Sequence, residues 1–408
     1  MTVLRYGADS SVHLEFAEGV RPEECGTPKG SPLDDLAAAA AAALGEPLDY
    51  PSLARSTTPG DRVVVTLERA LPQAAQITAA VVHALVAAGV EPDGISVLRT
   101  EAGVDSGEEN PIGRIEPAIA QRLRLLTHDP ASRRELAYLA ASEGGEPILL
   151  NRLLTDADLV LPIGCVRAER TAGYFGIHSS IFPEFSDLPT QSRFRRTECL
   201  RDEHRLHRDL AEEVRHVAWL LGINFTIQLV PAGGDGVLHV VAGQSDSVHR
   251  RSRELYQAAW ACQVARRASL VVAAIEGGPQ QQTWENLGNT LETAGNIVEE
   301  GGAIAVCCDL AVRPGPAVQR MVAARSREAV LRQIRRDGPT DALPAAQLSK
   351  ALDRDRVYLL SRLEPSLVEE LDMTPVAGPE ELARLAHRHA SCIVLANGPT
   401  AVVTVEEP

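Results

Sequence analysis

The sequence predicts an α/β protein of two lobes, each a parallel-type sheet flanked by helices, with a cleft between them. Three observations carry this. The chain has 408 residues, more than one ordinary core holds. Residues 61–100 read as strand, helix, strand with short connections, a βαβ unit that implies a parallel sheet. A second series of the same kind begins near residue 268.

In chain order, LDDLAAAAAAAL within 26–50 is an alanine-rich packing helix. DRVVVTL at 61–67 is short and β-branched, a strand. QITAAVVHALVAAGV at 76–90 has apolar residues at helical spacing and stops at Gly89. GISVLRT, LRLLTHD and DADLVLPIG read as further strands, VRHVAWLLG as a helix, NFTIQLVPA as a strand followed by GVLHVVAGQ. A long helix over 246–267 should bridge the lobes, dividing the chain into domains 1–265 and 266–408. Beyond it, ASLVVAAIEGG is a strand into a Gly-Gly turn, and TWENLGNTLETAGNIVEEGG a helix closed by Gly-Gly. AIAVCCDLA is a strand, PAVQRMVAARS a helix, DRVYLLSRL a strand, PSLVEELDM and GPEELARLAHRHA helices, and SCIVLANGPTAVVTVEE a closing strand or hairpin. Ligands in such folds sit at the carboxyl ends of strands, here the loops 66–73, 100–107, 163–180 and 277–286.

The formal net charge of -15 argues against a nucleic-acid partner, because phosphate binding needs clustered positive charge. The basic clusters at 193–196 and 332–336 sit beside acidic residues and read as solvated helix faces. No apolar run approaches the ~20 residues of a membrane span, and the first residues lack the apolar core of a signal peptide, so the expected location is cytoplasmic, without a membrane partner. Cysteines at 25, 165, 199, 262, 307, 308 and 392 include no CxxC pair and read as reduced thiols with no metal site. Only Lys29 and Lys350 are lysines, so chemistry needing an amine nucleophile has two candidates, both outside the glycine loops.

RYG near the start, PLDYPSLARSTTPGDRVVVTLERALPQ, DADLVLPIG with AGYFG and SSIFP, VVAGQSDSVH, and IEGGPQQQTWENLGNTLETAGNIVEEGGAIAV together resemble the nickel-dependent lactate racemase family and its 2-hydroxyacid racemase and epimerase relatives, nearly end to end. The resemblance implies the family's two-lobed fold. It also implies a nickel-pincer nucleotide tethered to a lysine and ligated by a histidine, with two further histidines moving a proton. At the positions of that machinery this chain departs. The tethering lysine falls on Ser179, one histidine on Glu169 and another near Arg195, and no histidine lies between His83 and His128. The substrate-contacting Gln and Lys fall on Asn286 and Asn289, and an aromatic falls near Leu343. Of the turn at 66–73, Arg69 and Pro72 remain, while the aspartate falls on Thr66. A serine supplies no amine, a glutamate is a hard donor for a soft nickel site, and an arginine cannot serve as a general base.

Candidate catalytic residues are Glu169 and His178, and the catalytic set is otherwise open. Candidate substrate or cofactor contacts are Arg69, Pro72, Gly176, His178, Ser179, Ser180, Asn286 and Asn289. Arg69 is either a fork donor to a carboxylate or phosphate, or a surface arginine paired with Glu68 or Glu101. His178 either contacts an anion or is solvated, and Glu169 has an internal ion pair with Arg167 or Arg170 as its alternative. His249 reads as a cap or lobe contact, with Ser245 and Asp246 as N-caps of the following helix. EHRLH at 203–207 reads as a solvated helix rather than a metal pair, and His387 and His389 suit a helix dipole. Asn286 and Asn289, one turn apart, with Gln280–Gln282 beside them, could line the cleft for a neutral hydrogen-bonding ligand. No GxSxG elbow is present, which argues against a serine hydrolase.

Three functions fit. The first is a divergent family member without a lysine-tethered nickel cofactor, binding or converting a small polar metabolite between the lobes. The second is a 2-hydroxyacid racemase or epimerase holding the nickel-pincer nucleotide non-covalently, Glu169 and His178 taking replacement roles. The third is a non-catalytic regulatory or binding subunit, partnered with an active homologue or with copies of itself.

Overall fold

A computed structural model describes residues 2–100, 109–142, 144–169, 171–196 and 204–406. Two six-stranded sheets dominate it. The first runs, edge to edge, Val237–Gln244, Phe225–Pro231, Leu159–Cys165, Val63–Leu67, Ile95–Thr100, Arg124–His128. Every neighbouring pair is parallel except the first. The second runs Thr374–Pro375, Arg356–Leu360, Val298–Cys307, Ala268–Ala274, Cys392–Leu395, Glu23–Cys25, and is parallel throughout. The central strands are buried on both faces, as Val63–Leu67 is at every position, which is why they read as continuous apolar runs.

The strand order places the switch points. In the first sheet the chain steps outward from Val63–Leu67 in one direction and resumes at Leu159–Cys165 in the other. In the second the same reversal falls between Ala268–Ala274 and Cys392–Leu395. Ligand crevices open at the carboxyl ends of such strand pairs. Here those ends lead into residues 68–69 and 166–167 in the first lobe, and 275–277 and 396–397 in the second.

Several expectations are corrected. The helix expected over 246–267 spans Ser245–Trp260 and gives way to the strand Ala261–Val264, which pairs with Val402–Val405. The helix Trp284–Gly295 stops before the second Gly-Gly, because 298–302 already belong to the strand Val298–Cys307. PAVQRMVAARS holds only the short helix Pro316–Gln319. The helix Arg327–Asp337 carries the basic cluster 332–336 read as a helix face, while the helix Ala342–Arg354 and the antiparallel pair Leu136–Ala141 with Pro147–Asn151 were not anticipated. Nor was the contribution of Glu23–Cys25 to the second sheet, which lies far before the boundary expected near 265. The N-terminal pair Thr2–Tyr6 and Ser10–Leu14 packs its apolar face, Leu4, Val12 and Leu14, with the second sheet's Leu270 and Val272.

Candidate functional site

The first switch point is built on a strained turn. Ala70 and Gln73 have φ of 56° and 52°, a left-handed conformation costing roughly 1–2 kcal/mol per non-glycine residue. Buried Pro72 lies between them. This bend lets Arg69 reach the second lobe, where its guanidinium pairs with Glu285. The sequence had offered Glu68 or Glu101 as bland partners; Glu101 lies outside the described residues. Glu285 sits in the first turn of Trp284–Gly295, where the helix dipole favours a negative charge. Burial opposes its ionisation, but Arg69, Arg195 and Arg167 together hold the carboxyl below the ordinary range.

Glu68 is the residue the sequence reading missed. One of its oxygens accepts from the Cys165 backbone N–H at 2.6 Å, and the other faces Arg167 at 2.9 Å. A side chain at Gly164 would meet Gln228 Nε2 at 2.6 Å and Glu68 Oε2 at 3.0 Å, so only glycine admits this approach. Arg195 pairs with Glu184 at 3.3 Å. The cleft therefore holds three arginines and three carboxylates in alternation.

In the loop after Cys165, Gly176 has φ of 104° and opens the short turn Ile177–Ser180. Ser179 Oγ accepts from Phe175 N at 2.8 Å, and Ser180 donates to Ile177 O at 3.3 Å, so both hydroxyls serve the turn. His178 is 8% exposed, and burial pushes its pKa down to about 4, so it is neutral near pH 7 and no cationic anchor for an anion. Its Nδ1 and that of nearby His249 have no hydrogen-bond partner among the described residues. Tyr174 is buried beside Glu68 and Arg167. A Cβ placed on Gly173 would stand 3.4 Å from Leu343 of the second lobe, so the loop lies beside the position where the resemblance placed an aromatic.

Other candidates are engaged elsewhere. Glu169 is 62% exposed and pairs with Arg253 at 2.6 Å rather than with Arg167; Arg170 lies outside the described residues. Asn286 donates to Gln281 O at 2.8 Å, while buried Asn289 accepts from Gln347 at 3.1 Å, so the two form no open face. Gln282 bonds Ile275 O, Gly277 O and Asp309 N, and Gln280 reaches Asp235 at 2.9 Å. The glutamine run is scaffold. Gln244, not Ser245 or Asp246, caps the helix after it, accepting from Ser247 N. His207 bonds Tyr174 O and packs on Phe175, which replaces the solvated reading for that histidine.

The second switch point opens into a polar cavity of about 500 Å³. It lies between the N-terminal pair (Arg5, Ser10), Gly233–Asp235 of the first lobe and Glu276–Gly277 of the second. Burial raises the Glu276 pKa, with Asn397 and Arg5 opposing. Asp235 accepts from Gly278 N at 2.7 Å and fastens this wall across the lobes. Among the described residues, no three His, Cys, Asp or Glu side chains cluster as a metal site would require, and no helix is long and apolar enough to cross a membrane.

Residues 6–194 match the family model described as the lactate racemase N-terminal domain. Over that span the chain is similar to the lactate racemase N-terminal domain. It is 21% identical over 288 residues to a lactate racemase of Thermoanaerobacterium thermosaccharolyticum, an alignment spanning 66% of each protein, just under two thirds of the relative's length. The lactate racemase apoprotein structure from that organism superposes with a TM-score of 0.75 at 16% identity, covering 98% of this chain and 99% of the other. A protein from Thermotoga maritima follows at 0.65 and 12% identity, covering 87% of this chain and 96% of its own. These likenesses establish the fold of the lactate-racemase-like chain across both lobes.

Proposed function

We propose that this lactate-racemase-like protein does not use a lysine-tethered nickel-pincer nucleotide and instead binds or converts a small anionic metabolite between its lobes. One observation carries the reading: the positions that would serve the cofactor hold side chains of the wrong chemistry, already engaged within the chain. Ser179, at the tether position, accepts from Phe175 N, and Arg195, near a histidine position, pairs with Glu184. Glu169, at another histidine position, faces Arg253 on the surface. The two lysines are held away from the loop, Lys29 donating to Ala261 O and Lys350 to Glu292. The donor set does not fit the cofactor.

What the residues do offer is anion recognition. Arg69 and Arg167 stand at the first switch point with forks suited to a carboxylate or phosphate, each held ready by a carboxylate a ligand can displace. The test compares the protein with an active lactate racemase, both purified from a host that makes the pincer nucleotide. The expected result is no nickel beside a loaded control, together with calorimetric binding of a small hydroxy- or dicarboxylate that Arg69→Ala abolishes. Near-stoichiometric nickel, or deuterium exchange at the α-carbon of a 2-hydroxyacid, overturns the reading.

A further inference from the structure

Cys25 ends the edge strand Glu23–Cys25, and Cys262 lies in the strand Ala261–Val264 beside it. The two segments are fastened together: Ala265 N donates to Glu23 at 2.9 Å and Lys29 N to Ala259 O at 2.9 Å. Between these ties the two strands pack together and the thiols stand near enough to interact, Cys262 Sγ also donating to Val402 O at 3.8 Å. Cys25 is buried while Cys262 is partly exposed, and one of the chain's two lysines reaches Ala261 O next to it. Gly26, with φ of +78°, turns its backbone N–H onto the Cys262 sulfur, and a side chain there would strike Leu395 and the Ala396 backbone.

We propose that Cys262 and Cys25 form a peroxide-sensitive thiol pair, Cys262 reacting first and Cys25 resolving it, whose disulfide locks the N-terminal strand to the segment joining the lobes. The surroundings fit the two roles. Interaction with Cys25 first, then Gly26 N–H and Lys29, draw the Cys262 thiol down to about 6 against burial. The Cys25 thiol is pushed up by that same interaction, by burial and by Glu23. Cys165, Cys307, Cys308 and Cys392 are buried, and burial raises each of them. Cys199 lies outside the described residues. In the reaction the Cys262 thiolate attacks one peroxide oxygen. An S–O bond forms as O–O breaks, and the departing hydroxide takes a proton to become water. Cys25 then attacks the sulfenic sulfur; S–S forms, S–O breaks, and the Cys25 proton leaves with hydroxide as a second water. Two thiols lose two electrons and the peroxide gains them.

The experiment treats the reduced full chain with a few equivalents of hydrogen peroxide at pH 7. It is then blocked with iodoacetamide, digested and weighed. The expected product is a Cys25–Cys262 cross-linked peptide, with the buried cysteines alkylated only after denaturation. Cys262 accumulating as sulfinic acid without a cross-link, or both thiols surviving doses that oxidise free cysteine, overturns the proposal. A second measurement needs no disulfide. At pH 7 a thiol near 6 carries about a hundredfold more thiolate than one near 9, offset by roughly twentyfold lower nucleophilicity, so Cys262 should alkylate roughly fourfold faster than an ordinary thiol. Cys25→Ala, which removes the first of these influences, should slow this in a variant that still melts cooperatively, and an unchanged rate overturns the thiolate assignment.

Discussion

At the first switch point Glu68 meets a guanidinium and a backbone N–H; at the second, Glu276 meets an amide and sits near Arg5. Both carboxylates follow central strands of parallel sheets, at equivalent places in their lobes. Yet Glu68 is held in an ion pair, whereas burial pushes the Glu276 pKa up. Position in the fold brings a carboxylate to a crevice; the neighbouring donors decide which partners it takes. The first crevice suits exchange of one anion for another. The second suits a ligand that brings hydrogen-bond donors to Glu276.

Removing Glu68 should break this contrast most severely. Glu68→Ala leaves Arg167 and the Cys165 N–H without their partner in a half-buried site, and should lower unfolding stability by about 3 kcal/mol, read from urea midpoints. A loss under 1 kcal/mol would mean that the pair is fully solvated. Across the cleft, Arg69→Ala and Glu285→Gln should each cost about 1 kcal/mol, because Glu285 is 35% exposed, and should separate the lobes by small-angle scattering. Glu285 has a depressed folded pKa, so its contribution is complete above the ordinary carboxylate value. It disappears as pH falls through the folded one, and wild type should converge on Glu285→Gln there. An unchanged difference at low pH would contradict the assignment. The smallest effect belongs to Glu276→Gln. A carboxyl with a raised folded pKa loses stability as pH rises through that value, so the amide should be slightly stabilising at neutral pH and neutral in its effect in acid. Stability curves against pH for the two proteins check the sign.

The same contrast marks what the sequence revealed. The first sheet was legible because Val63–Leu67, Ile95–Thr100 and Leu159–Cys165 announce themselves as β-branched or apolar runs with short connections. In the second, Glu23–Cys25 is three residues long and becomes a strand only through Cys392–Leu395. Ala261–Val264 likewise continues a helical pattern until Val402–Val405 pairs with it. Non-local pairing of this kind leaves no local signal. At the site, Arg69 stood out through its turn and its resemblance to the family, but its partner Glu285 lies 216 positions away. Glu68 looked like a surface charge because nothing local shows that Gly164 lets it approach the backbone. Asn289 had a persuasive spacing, and only the packing of Gln347 explains it.

The edge strand at Glu23 has a consequence for how the protein is made. Its pairing partner Ile393 is translated 370 positions later. At roughly 5–20 residues per second, that interval is on the order of 20 to 70 seconds. By its later part the first lobe has every strand of its sheet, made by residue 244, while the second still lacks the one between its centre and its edge. The nascent chain thus carries an unpaired β-edge and a waiting Cys25 until its last strands leave the ribosome. The second lobe's sheet closes only when residues 392–395 have joined a strand made some 370 positions earlier.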